Sequence, residues 1–238
     1  MGKNHLFSIS APKRWLFNRK DHKYITRPLP GSHPLQDSIP LSFLLREILE
    51  EAKTMRDVKA ILNSGNILVD GVIRKDEKFA VGLMDVIEIP KLNAVYRIVY
   101  DLKGRFILAN VKKENSNLKL LKIIKKTVIS SGKLQVTFHD GKNILFDKFE
   151  GKIGDSVLFD LSNKKIAKNL TLEQGSLVYL KDGSHVGKLA KVTDIIQTQD
   201  LQKPKVVVEI DGKQYVTLRD YTFVVGKDKP EINLEVKK

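Results

Sequence analysis

The sequence predicts an α+β, multidomain chain: a basic N-terminal arm, a compact αβ module, a central small β domain and a closing small β-barrel. Three observations predict it. Helical periodicity is confined to the stretch after Pro40, strand-like segments fill nearly everything after Leu92, and the leading segment shows neither period. At 238 residues the chain is too long for one small core, so two or three compact units are expected. The boundaries fall at residues 1–39, 40–90, 91–169 and 170–238.

The arm is set apart by composition. Its stretch from Ala11 to Pro40 holds five prolines and no sustained pattern, so it reads as irregular or extended. Lys3, Lys13, Arg14, Arg19, Lys20, Lys23 and Arg27 face only Asp21 and Asp37, and Trp15, Phe17 and Tyr24 lie among them. Disordered tails are poor in aromatics, which points to an arm that becomes ordered on a partner. Cations give affinity for a phosphate backbone, and Trp15 offers a flat ring to unpaired bases. The competing reading is that Trp15 and Phe17 pin the arm to the next domain, and the sequence leaves both open.

The αβ module begins at Pro40, which suits the first turn of a helix. Leu41, Leu44, Leu45, Ile48 and Leu49 then follow the i, i+3, i+4, i+7, i+8 spacing of one apolar stripe. Thr54 and Asp57 form a capping box for a second helix that Ser64-Gly65 closes. Met55, Val58, Ile61 and Leu62 fall on its apolar face, packing toward Leu45 and Leu49. Arg56, Lys59 and Asn63 fall on another face, and Arg74, Lys75 and Lys78 extend the patch. Asp70-Gly71 marks a hairpin, and Asp85–Pro90 closes the module with a strand.

From Leu92 onward short strands dominate, with hairpins at "FHDGKNI" and "EIDGKQY". Their number and length suggest two small barrels. "NLTLEQGS" divides them near Asn169. "VTLRDYTFVVG" ends the second as a strand, a tight turn and a closing strand, as many SH3-like barrels end.

Charge narrows the function class. Lys and Arg total 42 against 28 acidic residues, a formal net charge of +14. Such a surplus favours a polyanionic partner, because neutralising phosphates releases counterions. Nucleic acid is the expected partner, and charge alone does not divide DNA from RNA. There is no cysteine, which removes disulfides, thiolate metal sites and Cys nucleophiles and fits a cytosolic protein. No apolar run approaches the roughly 20 residues of a spanning helix, and neither a signal peptide nor a myristoylation signal is read at the N-terminus.

The module from Leu41 to Ile89 resembles the S-four RNA-binding fold. Gly65, Ile67, Val69, Asp70 and Gly71 fit its glycine-turn-strand motif, with Asp70 where Asn is commoner and "GLMD" (Gly82–Asp85) in place of "GD". The Arg-Leu-Asp start of many members is missing. "KNHLFSISAPKRW", the Arg27–Leu41 spacing, "FAVGLMDVI" and "IVYDLKGRF" together resemble the archaeal and eukaryotic small-subunit ribosomal proteins of the S-four-e family. "GSLVYLKDGSHVGKLAKVTDI", with Gly183 and Gly187, resembles a KOW element within the closing barrel. The resemblance spans almost the whole chain. Length and the lack of a long C-terminal tail suggest the archaeal branch.

The resemblance implies a structural component of the small ribosomal subunit. The implied partners are small-subunit rRNA and neighbouring ribosomal proteins, with no membrane, small-molecule substrate, cofactor or metal. It also implies RNA contact at His185, Lys188 and Lys191, on or beside the KOW turn. Two rivals are weighed against it. A pseudouridine synthase would need a catalytic Asp in an Arg-Leu-Asp context, whereas "TLRDYT" around Asp220 has another order. A protein-binding adaptor would use the barrels and show little salt sensitivity. The five histidines, His5, His22, His33, His139 and His185, have no metal or catalytic spacing, and no enzyme is expected.

Overall fold

The computed structural model describes residues 6–111, 115–130, 132–196, 203–232 and 234. They form two compact units. The first comprises the residues up to 99 with 105–117; the second comprises 100–104 with 118–234. Both are mostly β.

In the first unit β1 (Leu6–Phe7) pairs with β2 (Tyr24–Ile25), and β3 (Ser38–Pro40) leads into α1 (Leu41–Phe43). α1 continues as a π-helical turn over Leu44–Ile48, closed by a bond from Leu49 N–H to the Leu44 carbonyl (2.9 Å). The expected stripe is there: Leu41, Leu44 and Leu45 are fully buried, while Ile48 and Leu49 are half-buried beyond the widened turn. α2 (Met55–Asn63) carries the predicted capping box. Thr54 Oγ1 accepts from Asp57 N–H, and Asp57 Oδ2 accepts from Thr54 N–H (2.9 Å). Val58 and Leu62 form its buried side.

β4 (Leu68–Val69) and β5 (Val72–Ile73) form the hairpin expected at Asp70-Gly71, both of which take positive φ. β6 (Ala80–Gly82) pairs with β3, whereas β7 (Val86–Ile89) pairs with β4. β8 (Ala94–Tyr100) then pairs with β7, and β9 (Phe106–Asn110) completes a sheet in the order β5-β4-β7-β8-β9. The sheet therefore runs on past Ile89, where the sequence suggests a module end. A left-handed Asn93 provides the turn that lets β8 fold back on β7.

The arm is part of this unit. Trp15 is only 2% exposed, its ring lies 5.3 Å from Phe43, and its Nε1 donates to the Ser38 carbonyl (2.8 Å). Phe17 meets Phe43 edge-on at 5.7 Å. Arg14 ion-pairs with Asp37 (2.7 Å), and its carbonyl accepts from Phe106 N–H (3.2 Å). Of the two readings left open, anchoring describes Trp15: its ring is closed to any incoming base. From Leu6 onward the leading segment, expected to order on a partner, is fastened to its own chain. No amphipathic period signals this, because single side chains hold it rather than a repeating face.

A second fastening lies at His33. Its Nε2 is 3.0 Å from Asp85 Oδ2, both side chains are almost wholly buried, and the same oxygen accepts from Gly82 N–H (2.9 Å). The His33 ring occupies the space that a side chain on Gly82 would fill, since a Cβ there would stand 2.5 Å from ring carbon Cγ. The "GLMD" variation is thereby explained: a buried, left-handed Met84 turns the chain so that Asp85 reaches both partners.

The second unit contains two five-stranded antiparallel sheets. β10 (Leu118–Val128), β11 (Leu134–Phe138), β12 (Asn143–Phe146), β13 (Ser156–Asp160) and β14 (Lys165–Leu170) take the order β12-β11-β10-β13-β14. β10 serves both halves of this sheet. Its first residues pair with β13, and beyond a register shift at Ile123 its last residues pair with β11. Leu121, Ile123, Val136, Phe138, Val157 and Phe159 fill the core. β15 (Leu177–Leu180), β16 (Leu189–Ile196), β17 (Lys205–Ile210), β18 (Lys213–Leu218) and β19 (Thr222–Gly226) take the order β18-β17-β16-β15-β19. Both DG hairpins form as expected, and a 3-10 turn over Arg219–Tyr221 precedes the closing strand.

Two polar groups stitch this unit internally. The Lys122 ammonium is buried and donates to the carbonyls of Arg219 (2.7 Å), Asp220 (3.1 Å) and Thr222. Burial, helped by nearby Lys181, pushes its pKa down to about 7, while three well-placed carbonyls match the three N–H groups of the charged form. Tyr179 Oη donates to the Tyr100 carbonyl (3.0 Å) and accepts from Tyr100 N–H (2.8 Å). Beside it, Gly187 has φ +80° and no room for a side chain, because a Cβ would lie 2.6 Å from the Asp101 carbonyl oxygen.

The His33 seat gives a direct test. Gly82→Ala should lower the free energy of unfolding by about 2–4 kcal/mol, since the displaced ring leaves a buried carboxylate short of a partner. Adding His33→Ala should recover part of that loss in urea titrations. Full additivity of the two changes would contradict the packing described.

Candidate nucleic-acid interface

The cations form two sets, one in each unit. In the first unit α2 sets Arg56, Lys59 and Asn63 at i, i+3 and i+7, all exposed on one face. Their scaffold is rigid because the opposite face is core and the start is capped. The Asp57 carboxyl lies below its usual range, held there first by the Thr54 hydroxyl and then by the Thr54 N–H. Lys59 reaches Glu77 at 3.4 Å, which sets α2 beside the loop carrying Arg74, Lys75 and Lys78, although so exposed a pair adds little stability. In that loop Arg74 lies 4.3 Å over the Phe79 ring, Lys75 is exposed, and Lys78 is half-buried with its carbonyl accepting from Leu29 N–H. The structure thus brings α2 and the 74–78 loop together as the sequence suggests.

The arm divides. Lys13, Lys20 and Lys23 are exposed, and Arg27 is half-buried. Arg19 is turned inward instead: its guanidinium donates to the carbonyls of Ser8 (3.1 Å), Ala11 (2.7 Å) and Pro12 (2.8 Å), holding that turn of the arm closed. With Arg14 paired to Asp37, two of the arm's cations are structural in this chain. Lys3 lies outside the described residues.

In the second unit the turn between β15 and β16 has two positive-φ glycines, Gly183 and Gly187. His185 packs against Tyr215 with ring centroids 4.1 Å apart, so its ring already has an aromatic neighbour. Lys188 reaches Asp211 at 3.4 Å, a long and partly exposed pair worth little. Lys191 is exposed on β16. Asp220, the residue that a pseudouridine synthase reading would need, sits in the 3-10 turn and pairs with Lys203 at 3.1 Å.

Buried cations are kept out of this surface. Lys119 pairs with Asp140 (3.0 Å) with both side chains sealed from solvent, and burial lowers the Arg97 pKa to about 10 against the pull of Asp70. Among the described residues no cluster of three or more His, Asp or Glu could hold a metal ion, and no helix is long and apolar enough to cross a membrane.

Sequence reasoning passed over Phe7. It faces Tyr24 across β1–β2, with centroids 5.0 Å apart and both rings about half exposed. Strands two residues long carry no readable period, so only the tertiary pairing reveals the couple.

Comparison with known proteins accounts for this combination of parts. The model of the ribosomal family S4e matches residues 92–166, and that of the RS4NT (NUC023) domain matches residues 1–36. The small ribosomal subunit protein eS4 of Methanocaldococcus jannaschii is 41% identical, covering 98% of this chain and 98% of its own length.

The chain belongs to the S4e family of ribosomal proteins.

The eS4 protein of Archaeoglobus fulgidus is 42% identical over the same shares of both chains. The crystal structure of the 30S ribosomal protein S4e of Thermoplasma acidophilum is similar in fold, with a TM-score of 0.70 at 30% identity, covering 81% of this chain and 96% of that one. Within the S4e framework, the RS4NT match coincides with the arm that Trp15 and His33 fasten. The S4e match runs from just before β8 into the first residues of β14.

The α2 face is open to mutation without touching the core. Arg56→Ala with Lys59→Ala should weaken RNA binding and reduce the log–log salt slope by about 0.7–0.9 for each phosphate that is no longer neutralised. Unfolding free energy should stay within about 0.5 kcal/mol of wild type, as for exposed sites. Unchanged affinity in the double variant would remove α2 from the interface.

Proposed function

We propose that the protein is a structural constituent of the small ribosomal subunit that binds and braces small-subunit rRNA. The observation that carries this reading is membership of the S4e family along nearly the full length, in a chain of net charge +14. In this reading the chain works in the cytoplasm on the ribosome, beside neighbouring small-subunit proteins, and scaffolding rather than catalysis is its task.

The reading assigns the parts as follows. Residues 1–39 are the basic arm, and an S-four-type module begins at 40 with its sheet prolonged past 90 by β8 and β9. A central β domain follows from Leu118 to 169, and 170–238 are a KOW-type SH3-like barrel. Exposed Lys13, Lys20, Lys23, Arg56, Asn63, Lys75 and Lys191 are the groups best suited to meet phosphates, because their heads are open to solvent. Lys59 is equally exposed, and Arg27, Lys78 and Lys188 add partly covered charge. Arg14, Arg19, Arg74 and His185 are already engaged by carboxylate, carbonyl or ring partners and serve to shape the surface. Recognition of folded RNA by shape and backbone, without base-edge readout at most positions, suits cations spread over small rigid modules.

A tagged copy in its own cells should sediment with small subunits. The purified chain should bind small-subunit rRNA with affinity falling steeply and linearly in log–log form as salt rises. Sedimentation at the top of the gradient together with a flat salt titration would contradict the proposal.

A further inference from the structure

The β1–β2 ribbon turns alternate residues to opposite faces, as strands do. Leu6 is buried and Ile25 half-buried on the inner face, while their neighbours Phe7 and Tyr24 stand 49% and 48% exposed on the outer one. The two rings lie 5.0 Å apart with an interplanar angle of 33°. The Lys23 ammonium sits 5.5 Å from the centre of the Tyr24 ring. An exposed aromatic pair beside a cation offers a flat stacking surface with a positive edge, which fits a ligand that is flat and anionic at one edge.

Tyr24 also forms part of the wall of a cleft of about 410 Å³, within the range of small-ligand pockets, roughly 300–1,000 Å³. Phe17, Phe43 and Met55 supply its apolar lining; Asn18, His22 and Arg46 supply polar edges. Its acids are both engaged: Glu47 accepts from Arg46 (2.9 Å), and Asp21 accepts from Asn18 Nδ2 (2.5 Å). With Asp21 and Glu47 set against Arg46, the cleft has no cationic excess and is a poor seat for phosphate. The excess stands outside it, on exposed Lys20 and Lys23 and on Arg56, which follows Met55 in α2. A neutral ring inside and a phosphate outside is the division that a nucleotide presents.

We infer that the cleft walled by Tyr24, with Phe7 backing the Tyr24 ring, forms a seat for one unpaired RNA nucleotide, its base lodged in the cleft and stacked on Tyr24, its phosphate held outside by Lys23 and Lys20. The inference rests on the RNA-binding role proposed above and narrows it to a bulged or splayed nucleotide.

The test uses the full-length chain and two short RNA duplexes, one fully paired and one with a single bulged fluorescent aminopurine. Wild type should bind the bulged duplex more tightly and quench its emission. Tyr24→Ala and Tyr24→Leu should each lower affinity for the bulged duplex roughly 5- to 100-fold, abolish the quenching and leave paired-duplex affinity unchanged. Tyr24→Phe should behave as wild type. Retained quenching and preference in both Tyr24→Ala and Tyr24→Leu, or a wild type indifferent to the bulge, would overturn the seat while salt-dependent duplex binding upheld the RNA-binding role. Failure of wild type to bind either duplex would overturn both.

Discussion

Burial of the Trp15 indole against Phe43, with its N–H on the Ser38 carbonyl, sets where the leading cations of this chain can stand. Truncating a fully buried tryptophan typically costs about 3–5 kcal/mol, a large share of the roughly 5–15 kcal/mol that stabilises an ordinary domain. The ion pair of Arg14 with Asp37 and the buried His33–Asp85 contact fasten the same segment at two further points. Lys13, Lys20 and Lys23 are consequently presented from a fixed backbone. Cations held in this way lose less conformational entropy on binding a polyanion than cations on a segment that must order at that moment.

A chain with a formal charge of +14 must also avoid burying cations without partners. Lys119 is matched by Asp140, and Lys122 by three carbonyls. Arg19 uses its fork on the carbonyls of the arm. The remaining surplus stands on the outside of small, well-packed sheets. Repulsion among these exposed cations disfavours the free protein and is relieved when a polyanion is bound. The surplus that burdens the free protein is the same surplus that draws it to a polyanion.

Elements with a strong local code were legible in the sequence. The capping box at Thr54 and Asp57, the left-handed pair Asp70-Gly71 and the DG hairpins at Gly141 and Gly212 formed where local chemistry put them. The leucine stripe after Pro40 is core, although its second half widens into a π turn that periodicity does not encode. What could not be read was tertiary. Nothing local announces that Trp15 would find the Ser38 carbonyl, that His33 would occupy the space above Gly82, or that β8 would extend the first unit's sheet. The α2 face of the candidate interface was visible from spacing alone. The inward turn of Arg19 and the Phe7–Tyr24 couple were not, because both depend on an arm whose path is fixed by single contacts.

The seat of Trp15 is open to one direct measurement, because it is the only tryptophan in the chain. Its fluorescence in the purified protein, without RNA, should be blue-shifted and resistant to quenching by acrylamide, moving to the red only when the whole chain unfolds in denaturant. A red, freely quenched emission from protein whose circular dichroism still shows folded sheets would mean that the arm is loose in solution, and would contradict the account.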